Sequence, residues 1–360
     1  MTAPSESSIR GRGVSKNPPN RFERLSVEPD PEAGEAFPER PKTQFLRDTS
    51  RSVISYNKSP DLGFDASLNP YRGCEHGCSY CYARPFHEYL GFSAGLDFET
   101  RIVVKEEAPD LLRKELGAPG WTPQLLTLSG VTDAYQPVER RLGLTRRCLE
   151  VLVEHRNPVS VVTKNELVTR DIDHLLELAS VGASMVWVSV TSLDASLANR
   201  LEPRASAPER RLAAIRALAD AGVPVGVLVA PIIPGLNDHE LPAILEAARA
   251  HGAGFARYIV LRLPHGASEI FSGWLEQHEA GRRSKVLSRV REMRGGRLYD
   301  PRFGTRMRGE GPLADQIQQL FRLSCSKLDL SRQVPELRSD GFRRPGQLSL
   351  FGDPRPPAGR

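Results

Sequence analysis

Between residues 125 and 262, short uninterrupted apolar runs alternate with longer stretches of helical period. Leu125–Ser129, Val159–Thr163, Met185–Thr191, Val225–Pro231 and Ala256–Arg262 read as strands. Their apolar residues are continuous rather than alternating, which is the mark of a strand covered on both faces. A further strand is expected over Asp65–Arg72. Between the strands, Arg141–His155 sets Leu142, Leu149, Leu152 and Val153 at helical spacing. More helices are expected around Asp171–Ser180, over Ala207–Ala221 before Gly222, and over Asp238–Ala250 before Gly252. Strands joined by helices of this length form a parallel sheet with right-handed crossovers. Six such units predict an α/β fold, a partial (βα)6 TIM-like barrel rather than a flat, doubly wound sheet.

Outside this region the pattern changes. Residues 1–45 are rich in Pro, Ser, Glu and Arg without an apolar period, and are expected to be disordered or draped over the body as an extended arm. The core domain is expected over 46–270. Residues 271–340 carry two helical patterns, Arg283–Arg294 and Leu313–Leu323, joined by the Gly- and Arg-rich segment Gly295–Gly311. They predict a small, mostly helical extension over the open side of the barrel. From 341 to 360 the composition is that of a flexible tail. The net charge of +5 is uneven: Arg282–Arg344 holds sixteen Lys and Arg against seven Asp and Glu, or +9, which leaves −4 elsewhere. Such a basic stretch is either a footprint for nucleic acid or a solvated arginine-rich surface. No run is long enough to span a membrane and the N-terminus lacks a secretory layout, so a cytoplasmic protein is expected.

Chemistry concentrates in Asn69-Pro-Tyr-Arg-Gly-Cys74-Glu-His-Gly-Cys78-Ser-Tyr-Cys81-Tyr-Ala-Arg-Pro85, which holds three of the five cysteines at Cys-x3-Cys-x2-Cys. Soft thiolates at loop spacing select an iron–sulfur cluster or zinc. With His87 as a fourth ligand, the same residues would make a closed Cys3His zinc site. On a 4Fe-4S cubane, three thiolates leave one iron open. This spacing resembles that of the radical S-adenosylmethionine (SAM) enzymes. The resemblance implies a 4Fe-4S cluster on Cys74, Cys78 and Cys81, with SAM chelated at the open iron. It also implies a reductant such as flavodoxin or ferredoxin. Cys148 and Cys325 stand alone in helical patterns and read as buried apolar side chains.

Each expected strand also ends in polar residues: Ser129-Gly-Val-Thr132-Asp133, Thr163-Lys164-Asn165, Ser189-Val-Thr191-Ser192, Pro231–Asn237 and Arg262-Leu-Pro-His265. In barrels of this kind the strand ends carry the site. Ser189-Val-Thr-Ser, Arg200-Leu-Glu202-Pro203, Arg211-Leu-Ala-Ala and Val229-Ala-Pro-Ile232 are similar to spore photoproduct lyase and its DNA-repair photolyase-like relatives. So are Val162-Thr-Lys164 and Cys78-x-Tyr80-Cys81-Tyr82, and the similarity covers roughly residues 65–265. It implies that Thr132, Asp133 and Lys164 lie near the methionyl part of SAM, Ser189 at the ribose, and Ile232 with the loop to Gly235 at the adenine. Tyr80, Glu202 and Arg204 join this cofactor-binding set.

The implied activity is hydrogen abstraction on DNA, as in a photolesion lyase. The same chemistry on RNA, protein or a small metabolite is an alternative. A non-enzymatic, zinc-containing DNA-binding protein associated with the sliding clamp is another. One departure bears on substrate: spore photoproduct lyase has a hydrogen-donating cysteine where this chain has Gly130, so Tyr82, Tyr135 or Cys325 would have to replace it, or the substrate differs. Finally, Gln347-Leu348-Ser-Leu350-Phe351 lies in a proline-flanked tail and resembles the peptide by which bacterial repair proteins bind the DNA sliding clamp. There Gln347 would supply a polar anchor, with Leu348, Leu350 and Phe351 filling an apolar cleft.

Overall fold

Valine-rich runs that are apolar on both sides need cover on both faces, and the structure supplies it. A computed structural model describes residues 9–22 and 41–345; the tail motif Gln347–Phe351 lies outside them. Ten strands are described: β1 (Gln44–Arg47), β2 (Ile54–Tyr56), β3 (Ala66–Leu68), β4 (Tyr71–Arg72), β5 (Arg101–Val104), β6 (Leu126–Leu128), β7 (Val159–Thr163), β8 (Ser184–Ser189), β9 (Val225–Ile232) and β10 (Phe255–Val260). Seven form the main sheet in the order β10-β9-β8-β7-β6-β3-β2. Every pairing in it is parallel except β2 with β3. Within this sheet β8 is buried at all six positions. The expected strand 65–72 is divided: after β3 the chain turns at Asn69-Pro70 and β4 joins β5 and β1 in a second, three-stranded sheet.

Helices Leu144–His155, Ile172–Ala179, Pro208–Asp220 and Leu241–Ala250 follow β6, β7, β8 and β9 and bury their apolar faces against them. Cys148 and Cys325 are fully buried among these apolar side chains. Strand β5 and helix Ala108–Gly117 were not expected from the sequence. Strand β5 spans four residues whose partners lie in β1 and β4, so its pairing is distant in sequence and leaves no local period. Residues 9–22, within the segment expected to be disordered or draped, run along the body. Arg12 donates to the Glu99 and Pro41 carbonyls, both at 2.8 Å, Gly13 N–H to Glu99 Oε2 at 3.0 Å, and Asn20 to the Glu88 carbonyl at 2.9 Å.

The C-terminal region is helical, with Ala267–His278, Ala280–Glu292 and Pro312–Lys327. The expected boundary at 270/271 falls inside the first of these, whose Phe271, Trp274 and Leu275 pack with Leu261, Leu263, Cys78 and Tyr80. The Gly- and Arg-rich loop after Ala280–Glu292 links the two edges of the sheet. Met307 accepts from Val260 N–H at the end of β10 at 2.9 Å. Gly304 N–H and Arg306 Nε donate to Asp61, between β2 and β3, at 2.6 and 2.5 Å. A Cβ on Gly63 would stand 3.7 Å from the Arg257 guanidinium of β10. The sheet is therefore curled into a partial TIM-like barrel, and this loop crosses its gap. No helix among the described residues is long and apolar enough to cross a membrane.

Asp61→Ala removes both acceptors of that strap. Amide hydrogen exchange across residues 302–307 is then expected to rise, while β7, β8 and β9 stay protected, because a surface tie opens locally. Unchanged exchange in the loop would show that other contacts hold it.

Candidate active site

The cysteine loop follows β4, and its path depends on two left-handed glycines. Gly73 has φ +81° and Gly77 φ +68°; a Cβ at Gly73 would come within 3.0 Å of the Phe98 carbonyl, and one at Gly77 within 2.7 Å of Glu99 Oε2. The loop is tied down by its neighbours. Cys74 N–H donates to the Phe98 carbonyl and Ser79 N–H to the Leu201 carbonyl, both at 2.9 Å. Arg84 is fully buried, donates to the carbonyls of Cys78, Ala94 and Gly95, and pairs with the equally buried Glu99 at 2.5 Å. The Glu99 carboxylate therefore holds Arg84 with one oxygen and the N-terminal arm, at Gly13, with the other.

Cys74 and Cys78 are buried, Cys81 is half-buried, and none forms a disulfide. Burial pushes the Cys78 thiol well above its usual range and Cys81 up to about 11, with Cys74 adding to both. Burial therefore keeps the Cys78 and Cys81 thiols protonated until a soft metal centre takes them. Among the described residues no three His, Cys, Asp or Glu side chains converge on a single ion, as a Cys3His zinc site requires. His87 is instead buried between Phe92 and Phe98, ring centroids at 5.1 and 5.6 Å. A cubane spreads its thiolates over separate irons, so this donor set fits an iron–sulfur cluster.

The ends of β7, β8 and β9 meet the loop in one polar network. Asn165 caps the turn after β7 by accepting from Leu167 N–H, and this leaves Lys164 on the rim. Its ammonium donates to Ser189 Oγ at 2.5 Å and the Ala230 carbonyl at 3.0 Å, and stands 3.6 Å from Glu202. It also lies 5.9 Å from the centre of the Tyr80 ring. Glu202 ends the helix Ala195–Leu201, whose start is capped by Asp194. Its carboxylate, 1% exposed, accepts from Tyr80 Oη, from Thr191 Oγ1 at 2.6 Å and from Arg211. Burial alone would raise its pKa, but Arg211 and Lys164 outweigh burial and hold it at about 2.

Asp133 accepts from Thr163 Oγ1 and Lys164 N–H, both at 2.8 Å, and faces His76 Nδ1 at 3.4 Å. Burial disfavours its charge, yet His76 and the backbone donors keep it ionised.

Tyr80, Asp133, Lys164, Ser189 and Glu202 thus gather beside the cysteines. Thr132 is adjacent but turned inward, its hydroxyl donating to the Tyr71 carbonyl at 2.9 Å. Arg204 reaches behind the loop to Glu75 at 2.9 Å. Ile232 is buried at the end of β9. Gly235 lies farther out, on the wall of a cavity of about 450 Å³ with Arg282, Lys285 and Arg289. Sequence reasoning assigned no role to Thr191, His76 or Arg211. The Arg211 signal was present: it shares the buried face of helix Pro208–Asp220 with Leu212, Ile215 and Leu218.

Comparison with known proteins gives the family and the fold. The radical SAM superfamily pattern matches residues 68–248. An uncharacterised protein of Mycobacterium tuberculosis is 36% identical over 258 residues, covering 70% of this chain and 75% of its own. Spore photoproduct lyase of Geobacillus is 28% identical over 166 residues, 44% of this chain and 43% of that one. A solved structure of spore photoproduct lyase with bound AdoMet and dinucleoside spore photoproduct shares the fold, with TM-score 0.56, 17% identity, and coverage of 79% of this chain and 78% of that one.

Glu202→Gln leaves Arg211 buried without its counter-charge, at a cost of about 3–5 kcal/mol near pH 7. The native carboxylate sits at about 2 against 4.5 when unfolded, so its contribution is complete above 4.5 and is lost as pH falls towards about 2. The stability gap between wild type and variant, read from urea midpoints, is therefore expected to narrow from about pH 7 to about pH 3. A constant gap would mean that the charge of Glu202 carries no stability.

Proposed function

The chain belongs to the radical SAM superfamily, and from that premise we propose that it cleaves SAM reductively at a 4Fe-4S cluster and abstracts hydrogen from a DNA base, in the manner of a photolesion lyase. The observation that carries the reading is the placement of three unpaired cysteines beside the Lys164–Ser189–Glu202 network at the strand ends. Cys74, Cys78 and Cys81 would hold the cluster. Together the cluster and SAM supply one-electron cleavage of the sulfonium and a carbon radical able to take hydrogen.

Lys164 would take the SAM carboxylate, because its ammonium is held at the rim by neutral acceptors as well as by Glu202. Asp133 would meet the amino group, Ser189 the ribose, and Ile232 the adenine. Tyr80 and Glu202 brace Lys164, Thr132 supports the neighbouring turn, and Arg204 holds the cysteine loop through Glu75. Gly235 would act only through its loop.

Three residues were candidates to replace the donor cysteine absent at Gly130. Tyr135 is fully buried, and Cys325 packs in the C-terminal helix among apolar residues. Tyr82 follows the ligand Cys81, keeps 39% of its surface exposed, and donates its hydroxyl to the Gly130 carbonyl at 2.8 Å. Although part of the ring is exposed, desolvation around the hydroxyl, and then Cys81, raises its pKa to about 12, so the O–H is intact at neutral pH. Tyr82 would give its hydrogen atom to the product radical, and the resulting phenoxyl would be restored by an external reductant such as flavodoxin or ferredoxin.

The functional units would be the core over 46–270, the basic extension over 271–340, and a tail over 341–360 that binds the sliding clamp through Gln347, Leu348, Leu350 and Phe351. The absence of a membrane-spanning helix among the described residues is compatible with cytoplasmic action.

Anaerobically reconstituted protein with SAM and reductant is expected to release 5′-deoxyadenosine faster with irradiated DNA than with intact DNA or none. Cys78→Ala should lower release by at least about a hundredfold, through loss of a cluster ligand. Equal release in all three conditions would keep the radical chemistry and remove DNA as substrate. A protein that binds zinc and not iron would end the reading. Tyr82→Phe is expected to permit hydrogen abstraction yet stall product formation, measured as 5′-deoxyadenosine without repaired base. In a separate pull-down, Leu350→Ala with Phe351→Ala should abolish capture by the bacterial clamp while leaving SAM cleavage intact.

A further inference from the structure

Arg262 follows β10 on the rim that carries Lys164 and Ser189, and its electrostatic situation is unusual for this face. Neighbouring arginines have carboxylates: Arg302 pairs with Asp300 at 2.7 Å and Arg306 with Asp61 at 2.5 Å. Among the described residues Arg262 has neither a carboxylate nor an oxygen acceptor. Its Nη1 donates only to the Met307 thioether, at 3.4 Å, and its Nε is buried without a partner. A thioether is a weak acceptor. The guanidinium carbon lies 5.1 Å from the centre of the Tyr82 ring, and Tyr82 is fixed to Gly130. A second like charge is close by: Arg294 is lowered to about 10 by burial and then by Arg262 itself. Farther along β10, burial and then Arg308 lower Arg257. The seam where the barrel closes therefore gathers positive charge at the mouth of the site.

A half-buried guanidinium with a sulfur and a ring for partners retains most of its donor capacity. The fork geometry of arginine matches an oxyanion with two oxygens. We propose that Arg262, stacked on Tyr82, is an oxyanion subsite that takes the backbone phosphate next to the reacting base and so positions that base against Tyr82. This deepens the nucleic-acid reading and rests on it for the source of the phosphate. The anion preference itself rests on Arg262 and its surroundings. A phosphate there would complete the hydrogen bonds of Arg262 and offset the repulsion from Arg294.

Two measurements on the full-length protein test it. In the first, phenylglyoxal labelling is mapped by mass spectrometry, with and without an unmodified single-stranded oligonucleotide or pyrophosphate. Arg262 is expected to label in the free protein and to be protected about fivefold or more by either probe. Absence of labelling, or labelling that neither probe reduces, overturns the subsite whatever the enzyme's substrate. Protection by pyrophosphate and not by the oligonucleotide keeps the subsite and removes nucleic acid as its occupant.

The second measurement compares irradiated thymidylyl-thymidine, which carries the bridging phosphate, with an irradiated dinucleoside that lacks it. Wild type is expected to favour the first by about tenfold in KM, the size of one charge-assisted hydrogen bond. Arg262→Gln should erase that preference, and Arg262→Lys should restore part of it. A preference that survives in Arg262→Gln overturns the assignment. A wild type that ignores both lesions while labelling remains protected removes the photolesion reading and leaves the subsite standing.

Discussion

The carboxylate of Glu202 is the interaction on which the site depends. It is buried, so its charge is tolerable only because Arg211, Lys164, Thr191 and Tyr80 all face it. Those partners come from different parts of the chain: the cysteine loop, the ends of β7 and β8, and the helix after β8. Satisfying one charge therefore sets the distance between the loop and the sheet. It also leaves Lys164 at the rim, in contact with Ser189 and the Ala230 carbonyl. A network of this kind is robust while complete and costly when one member is lost.

A second buried pair, Arg84 with Glu99, does the same for the far side of the cysteine loop. Between the two pairs Cys78 and Cys81 sit among apolar side chains from the C-terminal helices, Phe271, Trp274 and Leu287 included, and Cys74 packs with Ala83 and Phe98. Such surroundings disfavour free thiolate and limit solvent access to whatever the thiols hold. The extension is thus part of the site's wall as well as an appendage to the barrel. Its first helix, Ala267–His278, packs on the loop, and its arginine-rich connection closes the gap between β10 and β2. One segment of chain excludes water on one side and gathers positive charge on the other.

That coupling gives the basic composition of the extension a specific meaning. Several of its arginines are neutralised by nearby carboxylates and serve the strap itself. Arg294 instead donates to the Thr305 and Leu261 carbonyls, next to Arg262 of the core, which lies over the Tyr82 ring without a carboxylate partner among the described residues. The charge excess therefore reaches the mouth of the barrel, where an anionic substrate would approach.

Much of this was legible before any fold was known. Continuous apolar runs at helical intervals imply a parallel sheet, because strands of that kind must be covered on both faces, and β6 to β10 lie where those runs lie. The three cysteines were legible for a similar reason: ligand spacing along a loop is a local property. Lys164, Ser189 and Asp133 could be placed on one rim because strand ends in such a sheet share a side. What the sequence could not determine was which polar groups meet. Lys164 turned to Glu202 and Ser189, and Asp133 to His76 and Thr163, because buried charges choose partners by three-dimensional proximity. The short strands β4 and β5 were hidden likewise, and for residues 9–22 a draped arm was one expectation but its landing on Glu99 was not, since these hydrogen bonds join residues far apart in the chain. Only the tertiary structure brings Tyr82 onto Gly130 and leaves Arg262 without an oxyanion partner, because both facts depend on how a curled sheet closes on itself.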